Sequence, residues 1–341
     1  MPAFRRPLLA VAALIAACGW TSRAFAWEDT GHRMIGQLGA QTLPSTLPAF
    51  VRSRQAVLDI GELAREPDRS RGAGRTHDQD RDPGHFADVD DEGKLLGGPP
   101  LARLPVTRAE YEKALQAAGT DSWKAGYLPY SIIEGYQQLT KDFAYWRADV
   151  AGEKAVKDPQ HKAWLTQDRV RREKQTILDL GYWAHFVGDA SQPMHTSIHF
   201  NGWGAFPNPR NYTQEHIHGP VEGEFVAANI KIEQVRAAMR PYADCGVCNI
   251  NDMTGAYLVN EHQYLEPTYQ LWGEGGFKDG DARGIAFITA RLAEASAELR
   301  DLVTDAWNAS GKMVVGYPGS SAADVEAGKG GDPYALLFGS H

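Results

Sequence analysis

His185-Phe-Val-Gly-Asp189-Ala-Ser-Gln192-Pro193-Met-His195 closes a helical apolar period that begins near Trp164. His185 and Asp189 are four residues apart, so on a helix they share one face with Cβ atoms about 5–6 Å apart, within reach of a single cation. Pro193 then ends the helix and lets His195 approach from the following loop. An isolated pair of this kind reads as a core histidine beside a helix-end carboxylate. Further donors elsewhere in the chain change that reading.

Working outward, His218-Gly-Pro-Val-Glu222 repeats the four-residue interval with a longer carboxylate, and Pro220 sits where the first turn of a new helix tolerates it. Upstream, Asp68 lies in Glu66-Pro67-Asp68-Arg69-Ser70-Arg71 and His85 in Gly84-His85-Phe86-Ala87-Asp88, each flanked by loop-forming residues. Either alone reads as a solvated loop residue. Taken with His32 and with the amine and carbonyl of Trp27, the chain offers nitrogen and carboxylate oxygen donors but no thiolate. That set suits catalytic zinc with open coordination positions.

Trp27 joins the set because of what precedes it. Arg5 and Arg6 stand before an apolar run from Leu8 to Ala17, and Ala24-Phe25-Ala26 is a small-x-small cleavage site. Residues 1–26 thus read as a signal peptide, predicting a periplasmic or secreted protein whose first residue, Trp27, carries a free amine five positions before His32. A second reading takes Ile15-Ala16-Ala17-Cys18 as a lipoprotein signal, which makes Cys18 the lipidated terminus and leaves Trp27 internal. The apolar run is shorter than the roughly 20 residues a spanning helix needs, and no second such run follows, so no transmembrane anchor is expected.

About 315 residues remain after cleavage, 43% of the whole chain is apolar, and one large domain or two small ones would fit. Apolar residues recur at helical spacing from His32 to Leu43, Ile132 to Val150, Trp164 to Val187, Glu222 to Met239 and Ile285 to Trp307, while the alternation of strands is scarce. Arg65 to Pro105 and Gln192 to Gly219 are long stretches rich in Gly, Pro, Asp and Asn, of the length that carries function or disorder. The tail from Gly316 to His341 has no helical period and is expected to wrap the surface or fray. A formal charge of −8 argues against a broad, sequence-independent grip on nucleic acid or anionic membrane, but leaves room for a local basic cleft and a phosphodiester substrate. Beyond the leader only Cys245 and Cys248 occur. In an oxidising compartment a pair so spaced closes a small loop disulfide more often than it binds metal, and a four-thiolate zinc site is impossible.

Trp27-x-x-x-x-His32, Asp68-x-x-Arg71, His85-Phe86, His185-x-x-x-Asp189-x-x-Gln192-Pro193-x-His195 and His218-x-x-x-Glu222, in this order, resemble one superfamily. It contains the single-strand-specific zinc nucleases of the S-one/P-one type and the bacterial zinc-dependent phospholipases C. The resemblance implies an all-α fold, a single mainly helical domain over residues 27–315 with long loops around a cleft holding three zinc ions. By the same resemblance, one zinc takes Asp68, His85, His185 and Asp189. A second takes the Trp27 amine and carbonyl, His32 and the shared Asp189, and the third takes His195, His218 and Glu222. Arg71 is then the arginine near the scissile phosphate and Asp68 a carboxylate that also orients the nucleophile, so both are candidate catalytic residues. The implied reaction is phosphoester hydrolysis by metal-activated water, with no stable protein partner.

Departures from the pattern divide the substrate. Glu222 stands where the nucleases usually have Asp, and Asn201-Gly202-Trp203-Gly204 replaces their Gly-Gly-Asn run, which favours the phospholipases. The short Trp27-to-His32 interval and the long His195-to-His218 loop favour the nucleases. Single-stranded DNA or RNA is therefore placed ahead of phospholipid as substrate, and a non-catalytic zinc-binding helical protein third, since structural zinc sites close all four positions. Asn201 and Trp203 are the candidate substrate contacts. Trp203, Phe206 and Tyr212 are placed to stack a base or to hold a choline headgroup, though ordinary loop packing accounts for any one ring equally well. His77, His161, His199, His216, His262 and His341 read as non-ligands, with His77 and His216 the first substitutes. Arg169, Arg171, Arg172 and Lys174 read as an exposed helical face.

Overall fold

Asp158-Pro159 starts the helix on which the fold is built. The Asp158 carboxylate accepts hydrogen bonds from the backbone N–H of Gln160 and His161, both at 2.9 Å, and proline at the first helical position has no N–H to satisfy. The computed structural model describes residues 27–246 and 249–338. The expected signal peptide, Cys18 and Cys248 lie outside them, and Cys245 is disulfide-bonded.

The described chain is mainly helical. In order, α1 (Glu28–Gln41), the turn α2 (Ala49–Arg52) and α3 (Arg54–Leu63) are followed by α4 (Arg75–Asp78), α5 (Arg108–Ala117) and α6 (Ser122–Ala125). The long pair α7 (Leu128–Ala155) and α8 (Pro159–Asp189) is joined by three residues, a link that forces it antiparallel. Then come α9 (Phe225–Asn229), α10 (Ile232–Ala238), α11 (Ile250–His262), α12 (Leu265–Gly273) and α13 (Ala282–Ser310), with α14 (Ala322–Glu326) and α15 (Pro333–Phe338) at the end. Helix α1 packs against α3, α8 and α13, and α13 also lies along α7. Trp27, Ile35, Leu38, Ile60, Leu180, Leu292 and Leu299 meet in the core these helices share. Among the described residues no helix is long and apolar enough to cross a membrane.

Two expectations are corrected. The period from Glu222 to Met239 is not one helix: a π-helical turn (Pro220–Glu224) runs into α9, Ile230 and Lys231 are extended, and α10 starts anew. At the break, Asn229 donates from Nδ2 to the Phe225 carbonyl at 3.0 Å and accepts from Gly280 N–H at 2.7 Å, which ties the end of α9 to the loop before α13. Residues 316–338 are not a separate tail either. Strand β1 (Val314–Val315) pairs antiparallel with β2 (Ser320–Ser321) across the expected boundary. Val325 and Leu336 then form a second small core with Ala144 and Ala148 of α7, and Tyr334 stacks on His161 at 3.7 Å.

The α7–α8 interface buries an unpaired carboxylate. Neither Asp149 oxygen has a hydrogen-bond partner, and burial pushes its pKa up to about 8 from the ordinary 3.8. The folded state thus keeps a proton that the unfolded chain gives up, so this contribution to stability is complete below about pH 4 and is lost as pH rises through about 8. By about 1.4 kcal/mol per unit of pKa difference, the effect by pH 7 is on the order of 4 kcal/mol at most. Asp149→Asn keeps the shape without the titration. Thermal melts from pH 5 to 9 should show the variant gaining on the wild type as pH rises, and parallel profiles would remove Asp149 from the account.

Candidate metal centre

At the C-terminal end of α8, His185 and Asp189 are fully buried. His185 Nδ1–H donates to the Ala64 carbonyl at 2.8 Å, which fixes the tautomer and turns the Nε2 lone pair inward. Helix α1 lays His32 flat on the His185 ring, with centroids 3.8 Å apart and planes inclined by 16°. Glycine at 188 permits that approach, since a Cβ there would lie 3.0 Å from Ile35 Cδ1 and 3.1 Å from His32 Nδ1. Trp27 anchors the start of α1: its buried indole N–H donates to the Gly188 carbonyl at 2.9 Å and to Ser191 Oγ at 3.0 Å. Burying such a ring contributes on the order of 4–6 kcal/mol.

The two Asp189 oxygens serve different neighbours. Oδ1 is 3.4 Å from His32 Nε2, while Oδ2 is 3.1 Å from His85 Nδ1 and 3.3 Å from His185 Nε2. Asp68 Oδ1 completes the group at 3.9 Å from His85 Nδ1 and 3.7 Å from His185 Nε2. His85 Nδ1 also lies 2.9 Å from His185 Nε2, and a single ring proton cannot satisfy all of these neighbours.

A second cluster gathers His195, His218 and Glu222. His195 Nδ1–H donates to the His85 carbonyl at 2.6 Å, so its Nε2 faces Glu222 Oε2 at 3.8 Å. His218 stands two residues before the π turn (Pro220–Glu224) and Glu222 within it, a local widening common at functional sites. His218 Nε2 lies 2.8 Å from Glu222 Oε2 without hydrogen-bond geometry, and Glu222 Oε1 has no hydrogen-bond partner. Gln192, quoted in the motif without a role, donates from Nε2 to Glu222 Oε2 at 3.1 Å. Asn201 Oδ1 accepts from His218 N–H at 3.1 Å.

These separations fit metal ligation. Around a tetrahedral ion with bonds of about 2.0–2.1 Å, ligand atoms stand about 3.3 Å apart, and the contacts above, from 2.8 to 3.9 Å, lie on either side of that value. Burial holds His85, His185 and His195 below the ordinary imidazole range, so they stay neutral as ligands must. Burial also raises Asp68, Glu222 and Asp189, the last to about 7, which marks carboxylates lacking sufficient positive charge nearby. Buried His, Asp and Glu groups able to hold metal ions are therefore present.

A cavity of about 470 Å³ opens beside the clusters, lined by Arg71, His195, His218 and Asn201 among others. The Arg71 side chain is 17% exposed, and it reaches Asp68 Oδ1 at 3.3 Å and Asp82 Oδ1 at 3.2 Å. Trp203 is corrected as a substrate contact: it is 4% exposed, stacked on His199 at 3.8 Å and packed by Tyr212 and Tyr269, so its faces are covered. His77 and His216 are exposed and join neither cluster, and His199 pairs with Asp91 at 3.0 Å. Trp123, Lys124 and Phe200, which also line the cavity, carry no sequence signal because the first two sit on the single turn α6 and the third in a loop, neither long enough to show a period. No protein-family model matches the chain, and a search of curated proteins returns no match.

Proposed function

We propose that this protein is an exported zinc-dependent phosphodiesterase that cleaves single-stranded nucleic acid. The observation that carries the reading is the convergence of His32, Asp68, His85, His185 and Asp189 in one buried group and His195, His218 and Glu222 in another, beside a cavity that Arg71 lines. In this reading Asp68, His85, His185 and Asp189 hold one zinc, and the Trp27 backbone, His32 and Asp189 a second. His195, His218 and Glu222 hold a third. Zinc bound there supplies the positive charge that acidifies water and offsets the charge developing on phosphoryl oxygens.

The remaining steps belong to the chain. Arg71 donates guanidinium N–H groups to non-bridging phosphoryl oxygens, held in place by Asp68 and Asp82. Asp68 orients the attacking water, while Gln192 and Asn201 fix Glu222 and His218. The backbone at Trp27 supports processing before that residue. The Trp27 φ of 42° is left-handed and costs about 1–3 kcal/mol, a strain that vanishes when Trp27 is the terminal residue and has no φ torsion, whereas the Glu28 φ of 37° is kept either way.

Phospholipid is the second reading, favoured by Glu222 in place of aspartate. A preparation whose intact mass corresponds to residues 27–341 should be assayed on single-stranded DNA, single-stranded RNA and phosphatidylcholine, with and without chelator. Chelator-sensitive cleavage of the nucleic acids is the expected result. Lipid hydrolysis alone would transfer the assignment to phospholipase C, and intact substrates throughout would sink both.

A further inference from the structure

Trp123 is 55% exposed, the one tryptophan among the described residues in the exposed class, and it lines the same cavity as Arg71 and His195. Phe200, 51% exposed, lines it too. Single exposed aromatic rings need no explanation, but two on the wall of a cavity that ends at buried ligand-type side chains do.

Both are held rigidly. The Asp121 carboxylate caps α6 by accepting from Lys124 N–H at 3.0 Å, and the Ala125 carbonyl accepts from Asp88 N–H at 2.8 Å. Ala87 bridges to Gly126, whose carbonyl accepts from the buried Tyr111 hydroxyl at 2.6 Å. The turn that carries Trp123 is thereby fastened to the segment that carries His85. On the other wall, the carbonyl of His199 accepts from Tyr269 O–H at 2.7 Å and Asn201 holds His218, which fixes Phe200 between them. Lys124 lines the cavity and has no ion-pair partner among the described residues.

We infer that Trp123 and Lys124 are positioning residues for the substrate strand. An unpaired base adjacent to the scissile phosphate lies on the Trp123 indole, and a neighbouring phosphate meets the Lys124 ammonium. The inference rests on the nuclease reading and deepens it. A base is neutral and is followed by an anion, which suits an indole next to a lysine. A quaternary ammonium headgroup on the same ring would face the charges of Lys124 and Arg71.

The test compares a thymidine hexanucleotide with a hexamer of abasic sugar-phosphate units, using processed, metal-loaded protein. The wild type should favour the base-bearing strand by at least about 5-fold in kcat/KM, the lower end of what stacking gives. Trp123→Ala should bring that ratio close to one, mainly through KM, while Trp123→Phe keeps most of it. Lys124→Gln should weaken both strands alike and lower the log–log salt slope of 1/KM by about 0.7, the share of one phosphate contact. An unchanged ratio in Trp123→Ala, with the strand still cleaved, overturns the inference and leaves the nuclease reading standing. Wild-type protein that cleaves neither strand overturns the reading and the inference with it. Melting temperatures near the wild-type value for all three variants are expected, since neither side chain is part of the core.

Discussion

Asp189→Asn should remove more metal than the loss of any other single donor and lower activity by about 10³-fold or more. Substitution of groups that merely orient metal ligands already costs 10- to 100-fold, and Asp189 is placed between two sites rather than behind one. Its Oδ1 approaches His32 while its Oδ2 approaches His85 and His185. The amide keeps the volume but gives up one oxygen and the negative charge that both sites share, so the site on the His32 side and the site on the His85 side weaken together. Because burial holds the Asp189 pKa at about 7 without metal, binding must expel a proton, and metal affinity should fall as pH drops below that value. Elemental analysis of the wild type, Asp189→Asn and His195→Ala, each dialysed against zinc at pH 8 and at pH 6, checks the prediction. His195→Ala should lose about one ion and Asp189→Asn at least two. An asparagine variant with the wild-type metal content would refute the bridging position.

The candidate metal centre was more legible in the sequence than its surroundings, for a geometric reason. His185 and Asp189 lie four apart on a regular helix, where sequence spacing translates directly into a shared face. The π turn under His218 and Glu222 distorts that translation, yet the pair still meets, because a slightly widened turn keeps residues four apart on one side. Helix α5 carried a readable signal in Thr107-x-x-Glu110, a reciprocal capping box in the structure, but its short apolar period left it unassigned. Helix α11 spreads its apolar residues around the axis and so offers little period to find. Trp203 was misread because a tryptophan among Gly and Asn resembles an exposed stacking ring; the loop instead folds onto Tyr269 of α12 and stacks the indole on His199. The cavity walls were not legible at all. Trp123, Asp88 and Phe200 converge through backbone hydrogen bonds between loops, a juxtaposition that no local pattern records.

Arg71→Met should reduce kcat by about 10²- to 10³-fold with metal content unchanged, the loss typical of removing one donor aimed at developing negative charge. The side chain is mostly buried, lines the cavity and lies between Asp68 and Asp82, so its guanidinium plane is fixed before any substrate arrives. Fixed donors need no reorganisation when charge builds on the phosphoryl oxygens, which places the effect in kcat more than in KM. Methionine preserves much of the apolar stem but leaves Asp68 beside two imidazoles without its cation. If Arg71 served only to hold Asp68, the variant would lose metal from the Asp68, His85 and His185 group, and added zinc would restore activity. Arg71→Lys separates charge from geometry: lysine keeps the charge but not the planar fork, so a rate between those of wild type and Arg71→Met is expected. Full activity in Arg71→Met at saturating zinc would remove Arg71 from the chemistry, whereas a kcat defect that zinc cannot repair assigns it to the reacting phosphate.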